Sequence, residues 1–146
     1  MAAGKLHLRI ITPENEKLNE NADMVIMRCT TGDMGILPGH EACSAVLDYG
    51  VLRILDGESE RRMAVFGGVA QVRDNAVTIL ANDAQWPEDI DRARAEAEHE
   101  QVERRMRESA DDMELQRDHV MLRRTLVQIE VSSYPLLSKV ELSGDE

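Results

Sequence analysis

"VAQVRDNAVTILANDAQWPEDIDRARAEAE", from Val69 to Glu98, changes its period part-way along. VAQVR and AVTIL are short β-compatible runs. Asp74-Asn75 between them reads as a hairpin turn, because both residue types tolerate positive φ. Beyond Pro87 the texture is helical: no proline or glycine occurs from Glu88 to Val131, and Ala, Glu, Arg, Leu and Met dominate. Pro87 suits a first helical turn, where an N–H would go unpaired anyway. Glu88, Asp89 and Asp91 crowd the same end, favourable against the positive pole of a helix dipole. The stretch divides the chain into a strand-built part and a helix-built part.

Toward the N-terminus the strand texture continues from Ala81 back to Lys5. KLHLRII alternates, which places Leu6, Leu8 and Ile10 on one face and His7 on the other. DMVIMRCT, GVLRIL and RRMAVF follow, punctuated by Asp56-Gly57 and Gly67-Gly68, the latter reading as a bare turn or bulge. Short strands with regular punctuation argue for an all-β sandwich or barrel. Within them, "TTGDMGILPGHEA" (Thr30–Ala42) has the look of a phosphate cradle but lacks the GK[ST] ending of a P-loop. Pro38-Gly39 is instead a type II turn signature.

Toward the C-terminus the helical texture breaks at "ESADDM", where Ser109 or Asp111 would cap a second helix. The first helix is expected to present Ile90, Ala93, Ala97, Val102 and Met106. The second carries Leu115, Leu122, Leu126 and Ile129, with Met113, Val120 and Val127 as a second stripe. The joint expectation is an antiparallel hairpin. Pro135 is expected to forbid further helix, leaving a polar, acidic tail in which Pro135, Leu136 and Leu137 are the residues to dock on the body. The expected divisions are 1–86, 87–131 and 132–146.

Composition narrows the function. At a net charge of −11 the field repels phosphates, which argues against a dedicated nucleic-acid module and against direct binding to anionic lipid. Aromatics at 3% argue against a site that stacks sugars or bases. Cys29 and Cys43 show no metal spacing and read as reduced core residues in a reducing compartment. MAAGKLHLRI lacks the apolar core of a secretory signal, and no apolar run spans a bilayer. Catalysis has no footing: there is no GxSxG, and His7, His40, His99 and His119 fit neither HxH nor HExxH. Asp91 and Arg94, at i and i+3, share a helix face. They read either as a solvated ion pair or as an acceptor and a forked donor able to hold a ligand.

Taken together, "GDMGILPGHEA", "YGVLRI", "FGGVAQVRDNAVTILA" and "DIDRARAEAE" resemble the epsilon subunit of F-type ATP synthases, in the family's order and spacing. The resemblance covers roughly Leu6 to Val131 and includes an IDxxRA pattern at Ile90, Asp91, Arg94 and Ala95. It implies a β + α fold: an N-terminal ten-stranded β-sandwich followed by a C-terminal antiparallel two-helix hairpin. It implies a non-catalytic rotor subunit of a proton- or sodium-driven synthase, peripheral at the cytoplasmic face of the bacterial cell membrane. The partners implied are the gamma subunit, the c-subunit ring, and the alpha and beta subunits when the helices extend to restrain ATP hydrolysis. The chain would touch the membrane only through the complex. Asp33, Met34 and His40 would face the c-ring, and Arg117, Arg123 and Arg124 the catalytic head. No cofactor or metal is required. ATP enters as a regulatory ligand at Ile90, Asp91, Arg94 and Arg124. Gln85, Gln101 and Gln128 stand where strong binders carry charges, which implies weak affinity. The alternative from texture alone is a stand-alone β-sandwich binding module with a helical dimerisation arm.

Overall fold

Alternation along β1 (Leu6–Ile11) decides how that strand is used. Leu6, Leu8 and Ile10 are fully buried, while His7 is exposed. In this computed structural model the backbone is described for residues 4–109 and 111–144, with side chains through Ser133. The chain falls into two units, 1–85 and 86–146.

The first unit is a curled, largely antiparallel sheet. After β1 come β2 (Glu16–Ala22), β3 (Met24–Cys29), β4 (Gly32–Ile36), β5 (Cys43–Asp56), β6 (Ser59–Arg73), β7 (Ala76–Ala81) and β8 (Ala84–Gln85). Their order is β2-β1-β7-β6-β5-β3-β4, with β8 paired to the first half of β6. β1 and β7 run parallel, Leu8 opposite Val77 and Ile10 opposite Ile79. The sheet folds back on itself, so that Glu20 of β2 forms an ion pair with Arg61 of β6. Aliphatic and methionine side chains fill the space between. The one phenylalanine, Phe66, is buried with its ring edge-on to Tyr49, centroids 5.7 Å apart.

The described residues hold eight strands, not ten. β5 and β6 are long because Gly67-Gly68 bends the chain rather than reversing it. Both glycines have positive φ (78° and 135°), and β6 stays paired with β5 through them. Opposite that bend, β5 gains extra residues against β3 between Leu47 and Arg53. Counting the halves of each long strand separately restores ten. The turns follow their residue chemistry. Asp74 and Asn75 have φ of 50° and 62°, and His40 N–H closes the Pro38-Gly39 turn on the Leu37 carbonyl at 3.1 Å.

In the second unit Pro87 opens one 3-10 turn, Pro87–Asp89, and not the helix itself. Ile90 is extended, and α1 (Arg92–Glu108) starts only after Asp91, whose carboxylate caps it by accepting from Arg94 N–H at 3.1 Å. Asp111 caps α2 (Asp112–Gly144), accepting from Met113 N–H at 3.0 Å. The helices pack antiparallel, but not on all the expected residues. Ala95 and Val102 are buried on α1, whereas Ala93 and Ala97 are exposed. On α2 Val127 is buried and Met113, Val120 and Leu126 are exposed, because the face toward α1 centres on Asp118 and Thr125.

The expected helix end is also corrected, since α2 runs through Pro135 to Gly144. A proline inside a helix removes one N–H donor at a cost of about 3 kcal/mol, which a long helix can absorb. Just ahead of it, the Ser132 and Ser133 hydroxyls both donate to the Ile129 carbonyl, at 3.1 and 2.7 Å. The expected docking of Pro135, Leu136 and Leu137 concerns side chains outside the described residues.

Candidate functional site

Asp33 and Met34 sit on β4, which pairs only with β3 and so forms one edge of the sheet path. Asp33 is exposed and accepts from Arg28 Nε at 2.7 Å, its cross-strand partner. Met34 is half-buried opposite Met27. His40 follows in the loop, its Nδ1–H donating to the Glu41 carbonyl at 2.8 Å. The loop is tethered from outside: Gly39 N–H donates to Asn75 Oδ1 of the β6–β7 turn at 2.6 Å. Nearby, burial pushes the Cys29 thiol above its ordinary range, with Asp33 and Cys43 adding to the effect. Both cysteines are free.

The exposed face of β5, β6 and β7 carries a feature with no signal in local spacing. Val46 on β5, Val69 on β6 and Leu80 on β7 are directly opposite one another in register. They are 58%, 46% and 50% exposed, forming an apolar row across three neighbouring strands. Each alone looks like an ordinary strand residue, and only the pairing register aligns them.

The helical candidates are spread along the second unit. Ile90 is half-buried and Asp91 spends one oxygen on capping α1. Arg94 is 76% exposed and pairs with Glu98 at 3.1 Å, not with Asp91. Arg117 and Arg123 are exposed and Arg124 is half-buried. Arg124 precedes Thr125, which faces α1, so it is turned about 100° away from the seam. Arg117 joins Arg105, Glu108, Glu114 and Asp118 around an open concavity of about 650 Å³ at the hairpin tip. His99 and His119 do not meet: His99 pairs with Thr125 and Glu103, and His119 is exposed. Among the described residues no group of His, Cys, Asp or Glu could hold a metal ion.

Residues 5–87 match the family model described as ATP synthase, Delta/Epsilon chain, beta-sandwich domain. The chain belongs to the ATP synthase epsilon chain family. The epsilon chain of Prochlorococcus marinus is 39% identical over 106 residues, 73% of this chain and 78% of that one. That of Syntrophobacter fumaroxidans is 38% identical over 130 residues, 89% of this chain and 97% of that one. Among solved structures, the Euglena gracilis mitochondrial ATP synthase assembly of OSCP, F1 and c-ring contains a chain matching at TM-score 0.78 and 25% identity. That match covers 89% of this chain and 81% of that one. A chain in the Tetrahymena thermophila mitochondrial ATP synthase central stalk and c-ring structure, 20% identical at TM-score 0.52 over 62% of this chain and 73% of that one, shares the fold.

As an epsilon chain, the protein is a non-catalytic subunit of the F-type synthase's central stalk. The epsilon-chain relatives span both units, which removes the stand-alone binding module as an alternative. Among its described residues no helix is long and apolar enough to cross a membrane.

Proposed function

We propose that this epsilon chain transmits rotation between the gamma subunit and the c-subunit ring, and restrains ATP hydrolysis when its helices move from a folded to an extended state. The observation that carries the reading is the Val46–Val69–Leu80 row. Contiguous exposed apolar area of this kind marks a surface that a partner covers. We read the gamma subunit as that partner. The edge holding Asp33, Met34 and His40 is assigned to the c-ring, and its tether to Asn75 supports a stiff contact. Arg117, Arg123 and Arg124 are assigned to acidic surfaces of the alpha and beta subunits in the extended state. Through these partners the chain is peripheral to the cytoplasmic face of a bacterial cell membrane, whether protons or sodium ions drive the rotor.

ATP is read as a regulatory ligand at Ile90, Asp91 and Arg94, with Arg124 on the facing helix. Arg94 supports this, because exchanging Glu98 for a phosphate disturbs only an exposed pair. Amide shifts in α1 during titration with millimolar ATP test it, and their absence overturns it.

The rotor reading is tested by co-purification with the gamma subunit of the same organism. Val69→Asp is expected to abolish the complex while the isolated chain keeps its unfolding midpoint. A complex that survives overturns the gamma assignment. For the helices, the assembled enzyme with a chain ending at Gln85 is expected to hydrolyse ATP faster than with the full chain. Equal rates overturn the restraint.

A further inference from the structure

The seam between α1 and α2 carries two buried polar groups beside the buried apolar Ala95, Val102, Val127 and Val131 of the two helices. Thr125 is 0% exposed and Asp118 8%, two helical turns apart on one face. Across the seam, His99 Nδ1 lies 3.0 Å from Thr125 Oγ1, and Arg105 donates to Asp118 Oδ1 at 3.1 Å. On α1 only Ala95 and Val102 among the described residues are buried. Both polar contacts join one helix to the other, so they exist only while the helices lie side by side.

Each contact also has somewhere to go when the helices part. Thr125 Oγ1 lies 3.1 and 3.0 Å from the Met121 and Leu122 carbonyls of its own helix. His99 keeps its Nε2 contact with Glu103, 3.0 Å away and one turn along its own helix, while its Nδ1 exchanges Thr125 for water. Arg105 is already half in water, which replaces Asp118 directly. Separation therefore strands no hydrogen-bonding group, and Asp118 gains hydration. An all-leucine seam behaves differently, because opening it exposes apolar surface at about 25 cal/mol per Å² with nothing in return.

We propose that the His99–Thr125 and Arg105–Asp118 pairs form a release latch, which holds the folded hairpin in one register and lets it open at low cost. The inference rests on the folded-to-extended reading and names the contacts where that movement begins. The latch makes opposite predictions for two changes. Replacing both members of a pair with apolar residues closes the hairpin more tightly, whereas removing one member of the other pair loosens it.

The test is amide hydrogen exchange on the full chain, with the sandwich amides as internal control. In His99→Leu/Thr125→Val, exchange across α1 and the facing part of α2 is expected to slow by about tenfold. In Arg105→Ala, which leaves Asp118 buried without its cation, exchange is expected to quicken by about tenfold or more. Unchanged exchange in either variant, or faster exchange in the apolar pair, overturns the latch. Hydrolysis by the assembled enzyme separates the two readings. If exchange moves as expected and hydrolysis does not, the latch stands and the restraint falls.

Discussion

The side chain of Arg28 lies directly over the backbone of Gly50. A Cβ on Gly50 would sit 2.5 Å from Arg28 Cβ and 2.6 Å from its Cγ. From that seat the guanidinium reaches Asp33 on the sheet edge. Neither neighbour is the loose end of a side chain, so Gly50→Ala must push β3 away from β5. A loss of about 1–3 kcal/mol is expected in urea unfolding, with a weakened Arg28–Asp33 pair. A wild-type midpoint would show that the strands part freely here.

At the bend of β6 the two adjacent glycines are not equivalent. A Cβ on Gly68 meets the Leu80 carbonyl oxygen at 2.2 Å and Ala81 Cα at 2.8 Å, all backbone. One on Gly67 meets the Asn82 amide nitrogen at 3.0 Å, the tip of a side chain that can turn away. Gly68→Ala is expected to cost about 3 kcal/mol or more, and Gly67→Ala about 1–2 kcal/mol from positive φ alone. Thermal unfolding ranks them, and equal losses would contradict the contact argument.

Asn75 has two tasks that one pair of variants separates. Its φ of 62° suits the hairpin turn, and its side chain accepts from Gly39. Asn75→Gly keeps the turn and loses the tether, so Gly39 amide exchange quickens while stability changes by no more than about 1 kcal/mol. Asn75→Ala loses both and adds about 1 kcal/mol of backbone strain. Identical stability of the two variants would rule out strain at this turn.

Acid sensitivity is expected where the start of β1, the β2–β3 junction and the β5–β6 turn meet. Gly57 N–H donates to Asp23 at 2.6 Å and Lys5 stands 3.5 Å away, which together hold the Asp23 carboxyl below its ordinary 3.8. The folded state thus favours the ionised form. Its contribution is full above the unfolded value and is lost as pH falls through the lower, folded one. Asp23→Asn should flatten the stability profile below about pH 4. A profile as steep as wild type would place the acid-sensitive group elsewhere.

Strand alternation is legible in β1 because one face is dry and the other wet. The extent of β5 and β6 is not, since Gly67-Gly68 looks alike whether the chain reverses or bends. What decides is the approach of Leu80, a contact outside any local window. On α2 the spacing Leu115, Leu122, Ile129 holds half of a heptad, and Asp118 and Thr125 are its other half. Reading hydrophobicity alone passes over them. Asp91 and Arg94 do share a helix end, but a cap binds backbone first, which sends Arg94 to Glu98. The apolar row on the sheet requires strand order and register, which only the folded chain supplies.

The parallel pairing of β1 with β7 bears on the order of assembly. Of the eight described strands β1 leaves the ribosome before the others, with one neighbour, β2, close behind it and the other at the far end of the unit. At roughly 5–20 residues per second, several seconds pass before β7 emerges. During that interval Leu6, Leu8 and Ile10 have no finished interior to enter. Closing so long a loop is slow, so completion of this sheet comes late and nascent-chain binders have a window in which to act. Of the eight strands, the earliest made is among the last to be seated.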